Sequence, residues 1–325
     1  MACANRAGDA TLRLHALRLL TSAQIYQGHS EAARALARQG LAEARSLGLR
    51  GVEAGLLNVL AIAADRQGDL IGAQELHRQS LQIYREQGDR TNEAIGLMNQ
   101  GLGWMRLGDL LQGRQNLEAA LQLLRANGDR TMEGAAQCAL STLTLWQGDE
   151  TRALALARQA QEIEKAAQAR EYEAFAGIAM GHAELALGRT AAARQAFTGA
   201  RQCALDLDAP HQHDASAGLA RVALAGSDTA LALAALQPVL DHVAAGNTLD
   251  GTDFPRLIEL TCHQTLARAG DPRADEWLAR AHTALMAQAD AISKSSTDPA
   301  LRHGFLHNIP HHREIVTAWA AKDSE

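Results

Sequence analysis

Proline is absent from the first 209 residues of this 325-residue chain. All six prolines (Pro210, Pro238, Pro255, Pro272, Pro299 and Pro310) follow that point. A proline inside a helix costs about 3 kcal/mol, so the Pro-free stretch permits long uninterrupted helices. Aromatic residues are only 3% of the chain, although 47% is hydrophobic, so alanine and leucine carry the apolar surface. Both are strong helix formers. Lysine occurs three times, at Lys165, Lys294 and Lys322, and the net charge is -6. With no basic block to track phosphates, a nucleic-acid partner is not expected. No apolar run approaches the ~18 residues that span a bilayer, so no membrane partner is expected either. The four cysteines, Cys3, Cys138, Cys203 and Cys262, are far apart. That spacing fits reduced thiols better than a disulfide framework or a zinc site. The first residues lack the apolar core of a signal peptide, so a cytoplasmic location is the default expectation.

Glycine, by contrast, is present at regular intervals. Gly28, Gly68, Gly108, Gly148, Gly188, Gly226 and Gly270 are spaced by 40, 40, 40, 40, 38 and 44 residues. Several sit in one phrase: Gln67-Gly68-Asp69, Leu107-Gly108-Asp109, Gln147-Gly148-Asp149 and Ala269-Gly270-Asp271. A second phrase runs half a period out of step, at Gly48, Gly88-Asp89-Arg90 and Gly128-Asp129-Arg130. Self-similarity at ~20–50 residues marks stacked repeats rather than one globular core. Each unit reads as two helices: in the third, about 92–106 and 110–126, with a Gly-Asp turn between them. Gly accepts positive φ there and Asp caps the next helix. Eight helices are expected over residues 51–210, with no strand.

Small residues stand at fixed distances from the turn glycine: Gly101, Gly113 and Ala120; Gly181, Ala193 and Ala200, with Phe197; Ser141, Ala153 and Ala160; Ala61, Ala73 and Ser80. In this pattern the units resemble tetratricopeptide repeats. The resemblance implies an all-α fold, an α-solenoid superhelix of about seven helix pairs with a C-terminal helical cap. Two departures stand out: the period is 40 rather than ~34, and the family's repeat-end proline is missing. On period alone a HEAT or armadillo array stays open. The expected organisation is a remnant of a preceding repeat at 1–10 and six helix pairs over 11–248. A seventh, irregular pair covers 249–294, and capping helices 295–325. The remnant rests on Gly8-Asp9, an end-of-repeat phrase with almost no repeat before it. The helix that follows carries leucines on several sides, which are expected to be more exposed than their counterparts in interior repeats.

The passage Asp298 to Trp319 resembles the tail of some large bacterial signalling proteins. In those, a tetratricopeptide array follows a nucleotide-binding ATPase module. That resemblance implies a non-catalytic interaction module, the regulatory or sensor arm of a signal-transduction ATPase or transcriptional regulator. Its partners would be a protein or peptide segment, or an upstream ATPase module of the same polypeptide. A free-standing scaffold in a protein assembly stays open.

No chemistry-bearing motif stands out. His303, His307, His311 and His312 have helical spacing, but Pro310 interrupts them and no Cys or carboxylate completes a ligand set. Surface or interface histidines are the simpler reading, as for His211 and His213, which flank a turn. Gly101-Leu102-Gly103 has the wrong spacing for a dinucleotide loop. No lysine follows a Gly-rich loop, and there is no Gly-x-Ser-x-Gly or His-Glu-x-x-His phrase. Neither a cofactor, a metal nor an enzymatic activity is expected. In the tetratricopeptide family the first helix of each pair lines the concave face. The matching positions here are Met98, Leu102, Met105 and Arg106; Cys138, Thr142 and Trp146; and Phe175, Ile178 and His182. They imply a largely apolar groove for a partner helix or extended peptide. Packing of some of them between tightly wound helices stays open as the alternative.

Overall fold

The computed structural model describes residues 10–26 and 30–322. Gly8, Gly28, Cys3 and all but the last residue of the expected remnant at 1–10 lie outside that range. Within it the chain is helical, with no strand. Fourteen helices form seven antiparallel pairs. They are α1 (Ala10–Tyr26) and α2 (Ser30–Ser46), α3 (Arg50–Arg66) and α4 (Leu70–Gln87), α5 (Arg90–Arg106) and α6 (Leu110–Asn127). Next come α7 (Arg130–Trp146) and α8 (Glu150–Ala167), α9 (Arg170–Ala186) and α10 (Thr190–Asp206), α11 (Gln212–Ala225) and α12 (Thr229–Ala244). The seventh pair is α13 (Pro255–Arg268) and α14 (Ala274–Ser295). Two short helices follow, α15 (Pro299–His307) and α16 (Pro310–Lys322). Among the described residues no helix is long and apolar enough to cross a membrane.

The helix ends follow from the repeated phrases. Gly68, Gly108, Gly148 and Gly188 have φ of 82, 77, 83 and 73° and turn the chain inside each pair. Gly48, Gly88 and Gly128 do the same between pairs, at 67, 66 and 71°. Further along, non-glycine residues take the left-handed position: Gln168 at 55°, Asp208 at 50° and Ser227 at 59°. Gly226 is therefore not the turn glycine that its spacing implied, since the left-handed conformation falls one residue later. The aspartates that follow the glycines are N-caps: Asp69, Asp109 and Asp149 accept from the N–H of Gly72, Gln112 and Arg152.

The small residues set how closely paired helices approach. A Cβ on Gly101 would stand 2.8 Å from Leu117 and 3.1 Å from the Gly113 carbonyl oxygen; on Gly181 it would stand 2.7 Å from the Phe197 ring. Ser80 and Ser141 hydroxyls donate to the carbonyls of Ala54 and Ala153 across the same contacts, both at 2.8 Å. Successive pairs are joined by a repeated ion clamp. Glu93, buried, is held by Arg85 from the preceding helix at 3.1 Å and by Arg90 from its own at 3.0 Å. Arg45 and Arg50 hold Glu53, and Arg125 and Arg130 hold Glu133, in the same way.

At the N-terminal edge, Leu19 and Leu20 of α1 are 60% and 44% exposed, while Val59 and Leu60, one period later, are 2% and 5% exposed. In α3 the preceding pair covers those positions. At the other end the regularity breaks. The link between α12 and α13 crosses residues 245–254, and α14 packs back against α4. Helices α14–α16 dock along the turns of the second and third pairs through Leu278, Leu285, Phe305, Leu306 and Ile309, which meet Leu70 and Leu107. The Asn308 amide donates to the Gly108 carbonyl at 2.9 Å, across 200 residues of sequence. The superhelix is thereby closed on itself along one edge.

Candidate functional site: a concave cavity

The superhelix surrounds a concave cavity of about 970 Å³ that is open to solvent over part of its boundary. Its floor is the inner row of first helices. Nine of the ten positions that the repeat pattern assigned to the groove line it: Met98, Leu102, Met105 and Arg106 from α5, Cys138, Thr142 and Trp146 from α7, and Phe175 and Ile178 from α9. Met98, Met105, Cys138 and Ile178 are mostly buried and present only an edge, whereas Leu102, Thr142, Trp146 and Phe175 are half-buried. The tenth, His182, is not on the cavity wall. Its ring packs against Phe197 at 5.0 Å and Phe254 at 6.4 Å, and Arg221 lies 3.4 Å from its Nδ1. The residue that covers it, Phe254, arrives from a distant link, which the repeat register does not reveal.

The walls come from residues that the repeat pattern did not single out. One is the link itself, Leu249 to Phe254, with Pro255 and Arg256 at the start of α13. Another is the C-terminal cap, through Phe305, Ile309, His311 and His312. Trp146, Phe254 and His311 meet edge to face: Trp146 lies 5.9 Å from Phe254 and 5.8 Å from His311, and Phe254 lies 6.1 Å from His311. The buried Asp214 carboxylate of α11 fixes the link by accepting from the backbone N–H of Asp253 (3.2 Å) and Phe254 (3.1 Å). The sequence signal for this wall was weak: a lengthened last interval, a proline at 255 and glycines at 246 and 251.

Eight of the residues that line the cavity are charged, in both signs. Arg106 meets Asp65. Enclosure lowers the Arg106 pKa, and the Asp253 carboxylate opposes that shift. Burial pushes the Cys138 thiol up, so it stays protonated and is no nucleophile. Desolvation holds His77 and His312 down at about 4 and His311 well below its usual value, so all three are neutral near pH 7. His303 and His307 sit side by side on α15 with their rings tilted by 43°, apart from the buried pair. Among the described residues no group of three or more His, Cys, Asp or Glu could hold a metal. The arrangement suits shape and apolar recognition with a few polar anchors.

No protein-family model matches the chain, and no curated protein matches it in sequence. Solved structures do match in fold. A Rap protein in complex with Competence and Sporulation Factor superposes with a TM-score of 0.61 at 12% identity, over 95% of this chain and 99% of that one. The Rap conjugation gene regulator of the plasmid pLS20, in complex with the Phr peptide, gives 0.51 at 13% identity, over 82% and 75%. A signal transduction ATPase with numerous domains from Pyrococcus horikoshii, which carries a tetratricopeptide repeat sensor, gives 0.54 at 14% identity. There the match covers 90% of this chain and 44% of that one. The chain has the tetratricopeptide-repeat fold.

Proposed function

We propose that this chain is a non-catalytic binding module that takes a short peptide, or an extended segment of a partner protein, in its concave cavity. The observation that carries the proposal is the cavity itself: about 970 Å³, apolar on its floor, with Arg106, Asp65 and Asp253 as polar anchors. A volume near the top of the ~300–1,000 Å³ range of ligand sites accommodates several residues of peptide. The Rap regulator bound to the Phr peptide supports the ligand class. The ATPase with a tetratricopeptide repeat sensor supports the role of regulatory arm, in which occupancy biases a larger signalling protein. An in-frame ATPase upstream in the gene would favour the arm over a free-standing scaffold.

The test is a selection of displayed random peptides on the folded chain. Enriched peptides should lose about tenfold or more in affinity for Trp146→Ala and for Leu102→Glu. Hot-spot aromatic residues contribute about 2 kcal/mol or more. Peptides that bind both variants as tightly as the wild type would place recognition outside the cavity.

A further inference from the structure

One wall of the cavity is a stretch of non-helical chain with a turn in it, where the Thr252 N–H and hydroxyl both donate to the Leu249 carbonyl, at 3.2 and 2.7 Å. Between Ala244, where α12 ends, and Pro255, where α13 begins, there is no helix, and this link runs across the inner helices. Gly251 approaches α3: a Cβ there would lie 3.6 Å from Arg66 Nη1 and 2.8 Å from Pro210 Cγ. Asp253 comes within electrostatic reach of Arg106 on α5 and lies 3.8 Å from His211 Nε2. Phe254 packs on Trp146 of α7 and reaches His182 of α9. Residues 251–254 thus pass from the second repeat toward the fifth.

We propose that this strap, Leu249 to Phe254, is a built-in stand-in for the ligand, and that the partner is an acidic peptide with an aromatic residue directly after a carboxylate. The inference rests on the concave cavity being a peptide site. Each strap contact names a feature of the partner. His211 receives a carboxylate. The Trp146 edge receives an aromatic ring. The absence of a side chain at Gly251 fits the constriction between Pro210 and Arg66. A tethered segment competes at an effective concentration in the millimolar range, so a free ligand must displace it. Apparent affinity is then reduced by the fraction of molecules in which the strap is in place.

The probe is a fluorescent peptide of the strap sequence, Asn247 to Pro255, followed by polarisation. It should bind Phe254→Ala at least tenfold more tightly than the wild type. Versions of the peptide with the aspartate at the Asp253 position changed to lysine, or the phenylalanine to alanine, should lose that binding. The wild type supplies a second readout that needs no variant. At saturating peptide, the amides of Asp253 and Phe254, protected by the Asp214 carboxylate, should exchange faster. Displayed peptides of other chemistry that bind the cavity, with no binding by the strap peptide, would overturn this inference and leave the cavity reading intact. Absence of both would overturn both. Unchanged protection of the strap amides at saturation would show that the strap is a fixed wall rather than a competitor.

Discussion

Gly108 and Gly148 hold the same position in successive repeats, with φ of 77 and 83°, yet their surroundings differ. A Cβ on Gly148 meets nothing within 4 Å, whereas one on Gly108 would lie 2.1 Å from the Gly304 carbonyl oxygen. Gly148→Ala therefore carries only the left-handed backbone penalty, roughly 1–2 kcal/mol. Gly108→Ala adds a clash with backbone that a side-chain rotation cannot relieve, and it pushes away α15, which Asn308 follows. Urea denaturation should show a larger loss for Gly108→Ala. Hydrogen exchange should rise in α15 for that variant alone. Equal losses would mean that the cap is loosely held at this point.

On the scale of a helix, α8 breaks the pattern of its counterparts. Glu164 takes the position that Leu124 holds in α6 and Tyr84 in α4, and it is fully buried. Gly134 lies beneath it where Ala94 and Ala54 stand earlier; a Cβ at 134 would meet the Glu164 carboxylate at 2.0 Å. Burial, and then the negative charges of Glu173 and Asp129, raise the Glu164 pKa from 4.5 to about 7. The folded value lies above the unfolded one. The favourable contribution is therefore complete below about pH 4.5 and lost as pH rises through about 7. Glu164→Gln, neutral and of the same shape, should gain on the wild type progressively from pH 5 to pH 8. The gain should reach about 1–3 kcal/mol, since each pKa unit is worth about 1.36 kcal/mol. Urea midpoints of the two proteins at both pH values check this. A pH-independent difference would show that the carboxyl does not titrate in this window.

The molecule as a whole should respond to acid through its buried histidines. Desolvation lowers His77, His213 and His312 to about 4 and His182 to about 3, and His311 lies lower than usual as well. Here the folded values lie below the unfolded one of 6.5. The stability they contribute is present above about pH 6.5 and lost as pH falls through about 4. His311 and His312 belong to the cap, where His312 Nδ1 donates to the Phe305 carbonyl at 2.8 Å. The prediction is a lower urea midpoint at pH 5 than at pH 7.5, with exchange rising in α15 and α16. The Glu164→Gln background isolates the effect, because Glu164 acts in the opposite direction over the same range. A flat profile there would mean that the cap histidines ionise without leaving their sites.

The repeat, its helix boundaries and nine residues of the cavity floor were legible in the sequence because they depend on local rules. A left-handed glycine ends a helix wherever it falls, an aspartate caps the next one, and a fixed 40-residue period returns the same face to the same side. Gly226 escaped that reasoning because its turn places Ser227, not the glycine, in the left-handed conformation. His182 escaped it because a residue 72 positions away covers it. Closure of the superhelix was decided only by the tertiary structure. Small rotations between units add up over the array until residue 308 meets residue 108, and no spacing in the sequence encodes that sum. The same accumulation turned an expected open groove into a cavity roofed by the chain's own strap.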